Sequence, residues 1–146
     1  MNRKKAFLGA PFADYINPDT GRLFDDKKLM LTKLINYFEK KGYVVENSHI
    51  REDWGTAWMH PEVCTPLDYE QIKKADVFVA IPGNPPSVGV HIELGWASAL
   101  DTRVILLLEQ GKKYSNLVLG LGKVGRVDYV YYNTLDECLE KMSKLL

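Results

Sequence analysis

Short continuous apolar runs alternate along this chain with longer segments whose apolar residues return at every third or fourth position. The first kind marks strands and the second marks helices that bury one face. Lys4–Leu8, Tyr43–Glu46, Ala75–Ile81, Arg103–Leu108 and Val127–Tyr132 are the predicted strands. Ala75–Ile81 is apolar almost throughout, the pattern of a strand covered on both faces. A first helix, capped by Asp25 or Asp26, runs to about Lys41 with Leu29, Leu31, Leu34, Ile35 and Phe38 on its apolar face. A second starts at Thr65 or Pro66 and turns Leu67, Ile72 and Ala75 inward. A third starts at about Val88, with Val90, Leu94, Trp96, Ala97 and Leu100 at helical spacing. A short helix near Tyr114–Leu121 and a closing one over Leu135–Leu146 complete the alternation. Asp14–Phe24 and Asn47–Pro66 are predicted loops, the first for its turn residues Asn17-Pro18-Asp19 and Thr20-Gly21.

Repeated β-α alternation implies a parallel sheet with helices on both faces. The expected architecture is α/β, a flavodoxin-like, Rossmann-like doubly wound sheet of five parallel strands in the order 2-1-3-4-5, as one domain over residues 1–146. That order brings the ends of strands one and three together, so Gly9–Phe12 and Gly83–Glu93 face each other across one pocket. The two long loops are placed to roof it.

The charge balance adds little: 19 basic and 19 acidic residues in 146 give no support for a nucleic-acid polymer or an anionic membrane as partner. No apolar run is long enough for a bilayer, and Met1–Lys5 is not followed by a signal-peptide core. Cys64 and Cys138 show no metal-ligand spacing and read as packing residues; a reducing cytoplasmic setting is expected, with no metal and no cofactor.

Chemistry concentrates around the third strand. Glu93 follows the Gly/Pro/Ser-rich loop Pro82–Gly89 and is expected in the first turn of its helix, ionised by the positive helix end. It divides evenly between a catalytic carboxylate and a helix-start preference. Asp68, expected in the first turn of the preceding helix, alone reads as helix-end chemistry; paired with Glu93 it fits glycosidic cleavage, which uses two carboxylates. Ser87-Val88-Gly89 resembles a small anion cradle, although most such triplets are turns and no P-loop exists in the chain. Ile81-Pro82 stands where a receiver-type phosphorylation domain would carry its acceptor Asp. The loop from Asn47 to His60 has groups suited to a flat heterocycle, with Trp54 and Trp58 equally open to core or interface packing. His49, just past strand two, has a better claim to the site than His60 or His91, and Arg51-Glu52 is also readable as a surface ion pair.

These residues resemble the nucleoside 2-deoxyribosyltransferase-like superfamily, in Phe7-Leu8-Gly9-Ala10-Pro11-Phe12 and Glu93-Leu94-Gly95. More closely, the chain is similar from about Phe7 to Leu121 to the cytidine 5′-monophosphate N-glycosidases of the mildiomycin and blasticidin type. That likeness runs through Asn17–Gly21, Asn47-Ser48-His49, Arg51–Gly55, Leu67-Asp68, Ile72–Ala80, Pro82-Gly83, Ser87, Gly89, Glu93 and Gly95–Ser98. The resemblance implies a hydrolase of the N-glycosidic bond of a pyrimidine nucleoside 5′-monophosphate. Glu93 matches the nucleophile that forms a covalent glycosyl-enzyme, and Asp68 the carboxylate that positions base and sugar. Phe7, Gly9, Phe12, His49 and Arg51 fall at substrate-binding positions, with Phe7 against the base. Ser87 with Gly89 suits a phosphate where the transferases carry an Asp for a free 5′-hydroxyl. Ser115 matches a serine that crosses to the neighbouring site in mammalian-type deoxynucleotide N-hydrolases, which implies a homodimer. Ala13 stands where some relatives carry an Arg, and the transferases' C-terminal carboxylate motif is missing from Lys144-Leu145-Leu146. The rival readings are a base-exchanging deoxyribosyltransferase, a purine-directed phosphoribohydrolase of the cytokinin-activating type and a non-catalytic nucleotide sensor.

Overall fold

The computed structural model describes residues 3–146. Five parallel strands, β1 (Lys5–Gly9), β4 (Val44–Asn47), β5 (Val77–Ala80), β6 (Val104–Glu109) and β7 (Val127–Tyr132), form one sheet in the order β4-β1-β5-β6-β7. Counted along the chain this is 2-1-3-4-5, as the pattern predicts. A two-stranded antiparallel ribbon, β2 (Ile16–Asn17) with β3 (Arg22–Leu23), is the one surprise in strand content; it shapes the predicted Asp14–Phe24 loop into a hairpin.

Period-two alternation splits the core into two layers. Ala6, Leu8, Val77, Val79, Ile105 and Leu107 point to one face, where α1 (Asp25–Lys40) and α6 (Leu135–Ser143) cover them with Leu31, Leu34, Phe38, Cys138 and Met142. Phe7, Phe78, Ala80, Leu106 and Leu108 point to the other, under Ile72 of α3 (Pro61–Lys74), Val90, Leu94 and Ala97 of α4 (Val88–Ala99) and Val118 of α5 (Asn116–Leu119). Each fully buried Val, Leu, Ile, Phe or Met side chain among them stabilises the fold by about 1.5–3 kcal/mol. A short helix α2 (Ser48–Arg51) follows β4 directly. No helix among the described residues is long and apolar enough to cross a membrane.

Several boundaries differ from the sequence reading. Phe24, not Asp25 or Asp26, is the N-cap of α1, and the two aspartates occupy its first turn; Leu29 faces outward, 55% exposed. α3 starts at Pro61, with Pro66 inside the helix, because proline at the first position loses only an N–H that has no intrahelical acceptor. Asp68 is therefore the eighth residue of α3 rather than part of its first turn. α4 starts at Val88 as expected, yet Glu93 is its sixth residue and so lies in the second turn rather than the first.

The loops after β1 and β5 meet at Gly83. Its φ is +84°, and a Cβ there would fall 2.7 Å from Pro11 Cγ and 3.0 Å from Pro85 O. Gly83→Ala is expected to destabilise the protein by about 1–3 kcal/mol, through backbone strain and crowding together. Denaturant unfolding checks this; an unchanged midpoint would show that the two loops yield freely.

Candidate active site

At the carboxyl ends of β1 and β5 a cleft of about 510 Å³ opens between α3, α4 and the segment that follows β4. Ligands of open α/β sheets bind in this crevice. Its wall includes Ala10 and Phe12 from the loop after β1, Glu52, Trp58 and Met59 from the loop after α2, Asp68 from α3, and Ser87, Gly89 and Glu93 from α4. The predicted facing of Gly9–Phe12 and Gly83–Glu93 is what the sheet order produces.

Glu93 projects from α4 toward the end of β1. A Cβ on Gly9 would stand 3.4 Å from Glu93 Oε1, so Gly9 leaves room for the carboxyl group. The expectation that the helix end keeps Glu93 ionised is not met. It lies a turn deeper than foreseen, where burial and then the charge of Asp68 push its pKa up to about 8, against a smaller opposing pull from Arg51. Asp68 is also raised by burial, with Arg51 resisting. Arg51 Nη1 donates to Asp68 Oδ1 at 2.8 Å and to Gln71 Oε1 at 3.3 Å, and its Nε lies 3.1 Å from Met59 Sδ. Glu93 therefore keeps its proton at neutral pH, beside an Asp68 carboxyl group that is hydrogen-bonded to a guanidinium.

The start of α4 could hold an anion. Ser87 is the N-cap of α4, and its Oγ accepts from Val90 N at 3.4 Å. The first N–H groups of a helix have no intrahelical acceptor, and the hydroxyl keeps its own O–H to donate. Gly89 has open space where a side chain would stand, so a ligand can reach this backbone closely. His91 turns back on the same turn, with Nδ1 at 2.6 Å from Ser87 O.

Another part of the lining is aromatic. Phe12 stacks on His49 with ring centroids 4.6 Å apart and meets Trp58, 60% exposed, at 4.6 Å. His49 does not reach the cleft: it is fully buried, its Nε2 lies 2.9 Å from Pro11 O, its Nδ1 3.3 Å from Asn47 Nδ2, and burial lowers its pKa to about 4. A neutral His49 thus fixes the Pro11 carbonyl and the underside of Phe12. Phe7 is also absent from the cleft; its ring is fully buried against Phe78, 5.4 Å between centroids, as core. Ser115 lies away from the cleft at the N-cap of α5, where its hydroxyl accepts from Leu117 N.

Arg51 and Glu52 are not a surface pair. Glu52 is 5% exposed; its Oε1 accepts from Met59 N at 2.8 Å, and its carbonyl accepts from Gly55 N and Ala57 N. This turn passes through three successive positive-φ residues, Asp53 (48°), Trp54 (56°) and Gly55 (99°). Met59 and Cys64 escape a reading by pattern, and Glu52 is read there only as a loop group or a surface ion, since their place on the cleft wall depends on that turn and on α3 starting at Pro61. Trp54 packs on the core with Lys28 Nζ 5.0 Å from its ring centroid. Among the described residues no cluster of three or more His, Cys, Asp or Glu could hold a metal ion.

No protein-family model matches the chain. The Clostridium botulinum CMP N-glycosidase BcmB is 36% identical, with 96% of this chain and 99% of that one aligned and a TM-score of 0.73. The solution structure of BlsM is 46% identical over 96% of this chain and 87% of its own, with a TM-score of 0.83. A Thermofilum pendens protein provisionally named 2′-deoxynucleoside 5′-phosphate N-hydrolase 1 is 29% identical over 97% of this chain and 94% of its length. A conserved Enterococcus faecalis protein, 14% identical with a TM-score of 0.63, shares the fold.

Proposed function

Since this chain belongs to the CMP N-glycosidase family of the nucleoside 2-deoxyribosyltransferase-like superfamily, we propose that it hydrolyses the N-glycosidic bond of a pyrimidine nucleoside 5′-monophosphate, CMP in the first place. The observation that carries this reading is one cleft holding an anion-binding helix start, a carboxyl pair and an aromatic wall in one continuous lining. Phosphate sits on Ser87 and the amide end of α4, ribose C1′ lies beside Glu93, and the base stands against Phe12 and Trp58. Phosphate binding remote from C1′ orients the reacting carbon.

In the proposed mechanism Glu93 attacks C1′ and forms a covalent glycosyl ester while the base departs. A protonated resting Glu93 makes the proton count close. The hydrogen it gives up goes to the base, with neighbouring Asp68 as carrier, so neutral cytosine leaves. Water then cleaves the ester and returns the hydrogen to Glu93 with ribose 5-phosphate as product. The transition state is oxocarbenium-like, and the two carboxyl groups beside C1′, Asp68 fixed by Arg51, stabilise its positive charge more than they stabilise the neutral sugar. Arg51 is here a positioning residue for Asp68, and His49 one for Phe12; neither contacts substrate.

The homodimer with Ser115 reaching a neighbouring cleft is part of the proposal. Its support is the exposure of apolar side chains in α4, in α5 and just after α5: Val88 at 75%, Leu117 at 84% and Val124 at 77%.

Chromatography of free base after incubation with CMP, dCMP, UMP, AMP and cytidine tests the reading. Cytosine is expected from CMP without any acceptor. Release only when a second free base is added would make the protein a transferase, and tight binding with no release would make it a sensor.

A further inference from the structure

We infer that Glu52 reads the base: its free carboxylate oxygen accepts a hydrogen bond from the exocyclic 4-amino group of cytosine and turns away uracil. The inference rests on the proposed function, whose cleft it deepens.

Glu52 is a carboxylate buried in the cleft wall that the bond-breaking chemistry does not use. Its position is over-determined. Backbone N–H groups of Gly55 and Ala57 hold its carbonyl, and Met59 N holds Oε1 at 2.8 Å. Those contacts lock the carboxyl group at the edge of the segment that carries Trp58 and Met59, the wall proposed for the base. Oε2 is the remaining acceptor. The nearest cationic atom is Arg51 Nη2 at 3.7 Å, beyond hydrogen-bond length, and that buried guanidinium nitrogen has no hydrogen-bond partner of its own. The arrangement keeps Glu52 beside a positive charge while leaving one oxygen free to accept.

The chemistry of a carboxylate at that place is one-sided. An ionised carboxylate only accepts, and cytosine presents an amino donor where uracil presents a carbonyl acceptor. CMP therefore gains a charge-assisted hydrogen bond and UMP brings two acceptors face to face. A site built around one polar contact rejects an analogue lacking it far better than an apolar pocket rejects a missing methylene. Within the lining, Glu52 shares the segment after α2 with Trp58 and Met59, whereas Ser87, Gly89 and Glu93 come from α4 and its N-cap and Asp68 from α3.

The substrate-side test needs no variant. CMP, UMP and the 5′-monophosphate of pyrimidin-2-one riboside, which has hydrogen at position 4, are compared for base release and for binding. The expected order is CMP, then the unsubstituted base, then UMP, with CMP preferred over UMP by roughly 100-fold or more. UMP within threefold of CMP overturns the inference. Glu52→Gln is the protein-side test, since its amide oxygen still accepts from Met59 N while the other atom becomes a donor. The CMP-to-UMP ratio is expected to fall at least tenfold in a variant whose melting temperature matches the parent. A folded variant with an unchanged ratio also overturns the inference, while leaving N-glycosidase activity standing. If no base is released from any nucleotide, the catalytic reading fails by itself, and the CMP-to-UMP ratio of dissociation constants still decides the role of Glu52.

Discussion

Glu93→Gln is expected to abolish base release and at the same time to stabilise the protein above neutral pH. The loss follows from the proposed nucleophile: an amide of the same shape cannot form the glycosyl ester, and kcat/KM should drop by roughly 10³-fold or more. The stability gain follows from burial. Glu93 has a folded pKa near 8 against an ordinary value of 4.5. Below 4.5 the side chain is protonated in both folded and unfolded states, so it contributes no pH dependence. Between 4.5 and about 8 the unfolded chain ionises and the folded one resists, so stability is lost as pH rises; above 8 the loss is complete. Gln escapes it. The variant should match the parent near pH 4 and exceed it at pH 8.5 by on the order of 2–4 kcal/mol. Melting curves at the two pH values, beside the base-release assay, read both effects. Parent-like activity would remove Glu93 from the nucleophile role, and a pH-independent difference in melting would mean that its proton is not held by burial.

The second large effect is expected at the anion end. Ser87 both caps α4 and offers its O–H outward, so the parent should release cytosine from CMP and little or none from cytidine. Ser87→Asp keeps a capping oxygen but replaces the donor with a negative charge. The preference for CMP over cytidine should fall roughly 10–100-fold, the worth of one charge-assisted hydrogen bond. An unchanged preference would place the phosphate elsewhere. Ser115→Ala in the same assay tests the second half of the proposal: a matching loss of CMP binding requires a dimer, and a monomeric mass in solution would end that part.

How much of this was legible from sequence follows from what each feature depends on. Sheet order and the two-layer core were readable, because Val77–Ala80 and Val104–Leu108 are continuous apolar runs and their neighbours repeat at helical spacing. The facing of Gly9–Phe12 and Gly83–Glu93 follows from that topology, whereas the pairing of Asp68 with Glu93 rests on the two-carboxylate chemistry of glycosidic cleavage and on the family resemblance. What failed was depth. An assumed start at Thr65 or Pro66 puts Asp68 in a first turn, whereas α3 starts at Pro61 and carries it in the third turn; for α4 the start at Val88 is as expected, and Glu93, its sixth residue, lies one turn beyond the helix end. Phe7 and His49 failed for a related reason. Each belongs to a strand end near the cleft, but strand alternation points Phe7 into the core and the Pro11 carbonyl draws His49 underneath Phe12. Glu52 is legible in the sequence only as one group of a long loop or half of a surface ion pair; its burial depends on the turn through three residues with positive φ that follows it.

That same turn divides the protein's tasks between two kinds of backbone. The carboxyl pair and the anion cradle ride on α3 and α4, anchored to the sheet, while Glu52, Trp58 and Met59 hang from an irregular segment tied down by a few hydrogen bonds and Arg51. Drift in length or composition between Glu52 and Met59 can therefore change which heterocycle is accepted and leave the bond-cleaving apparatus in place. A lineage with this architecture can diversify its diet without reinventing its chemistry.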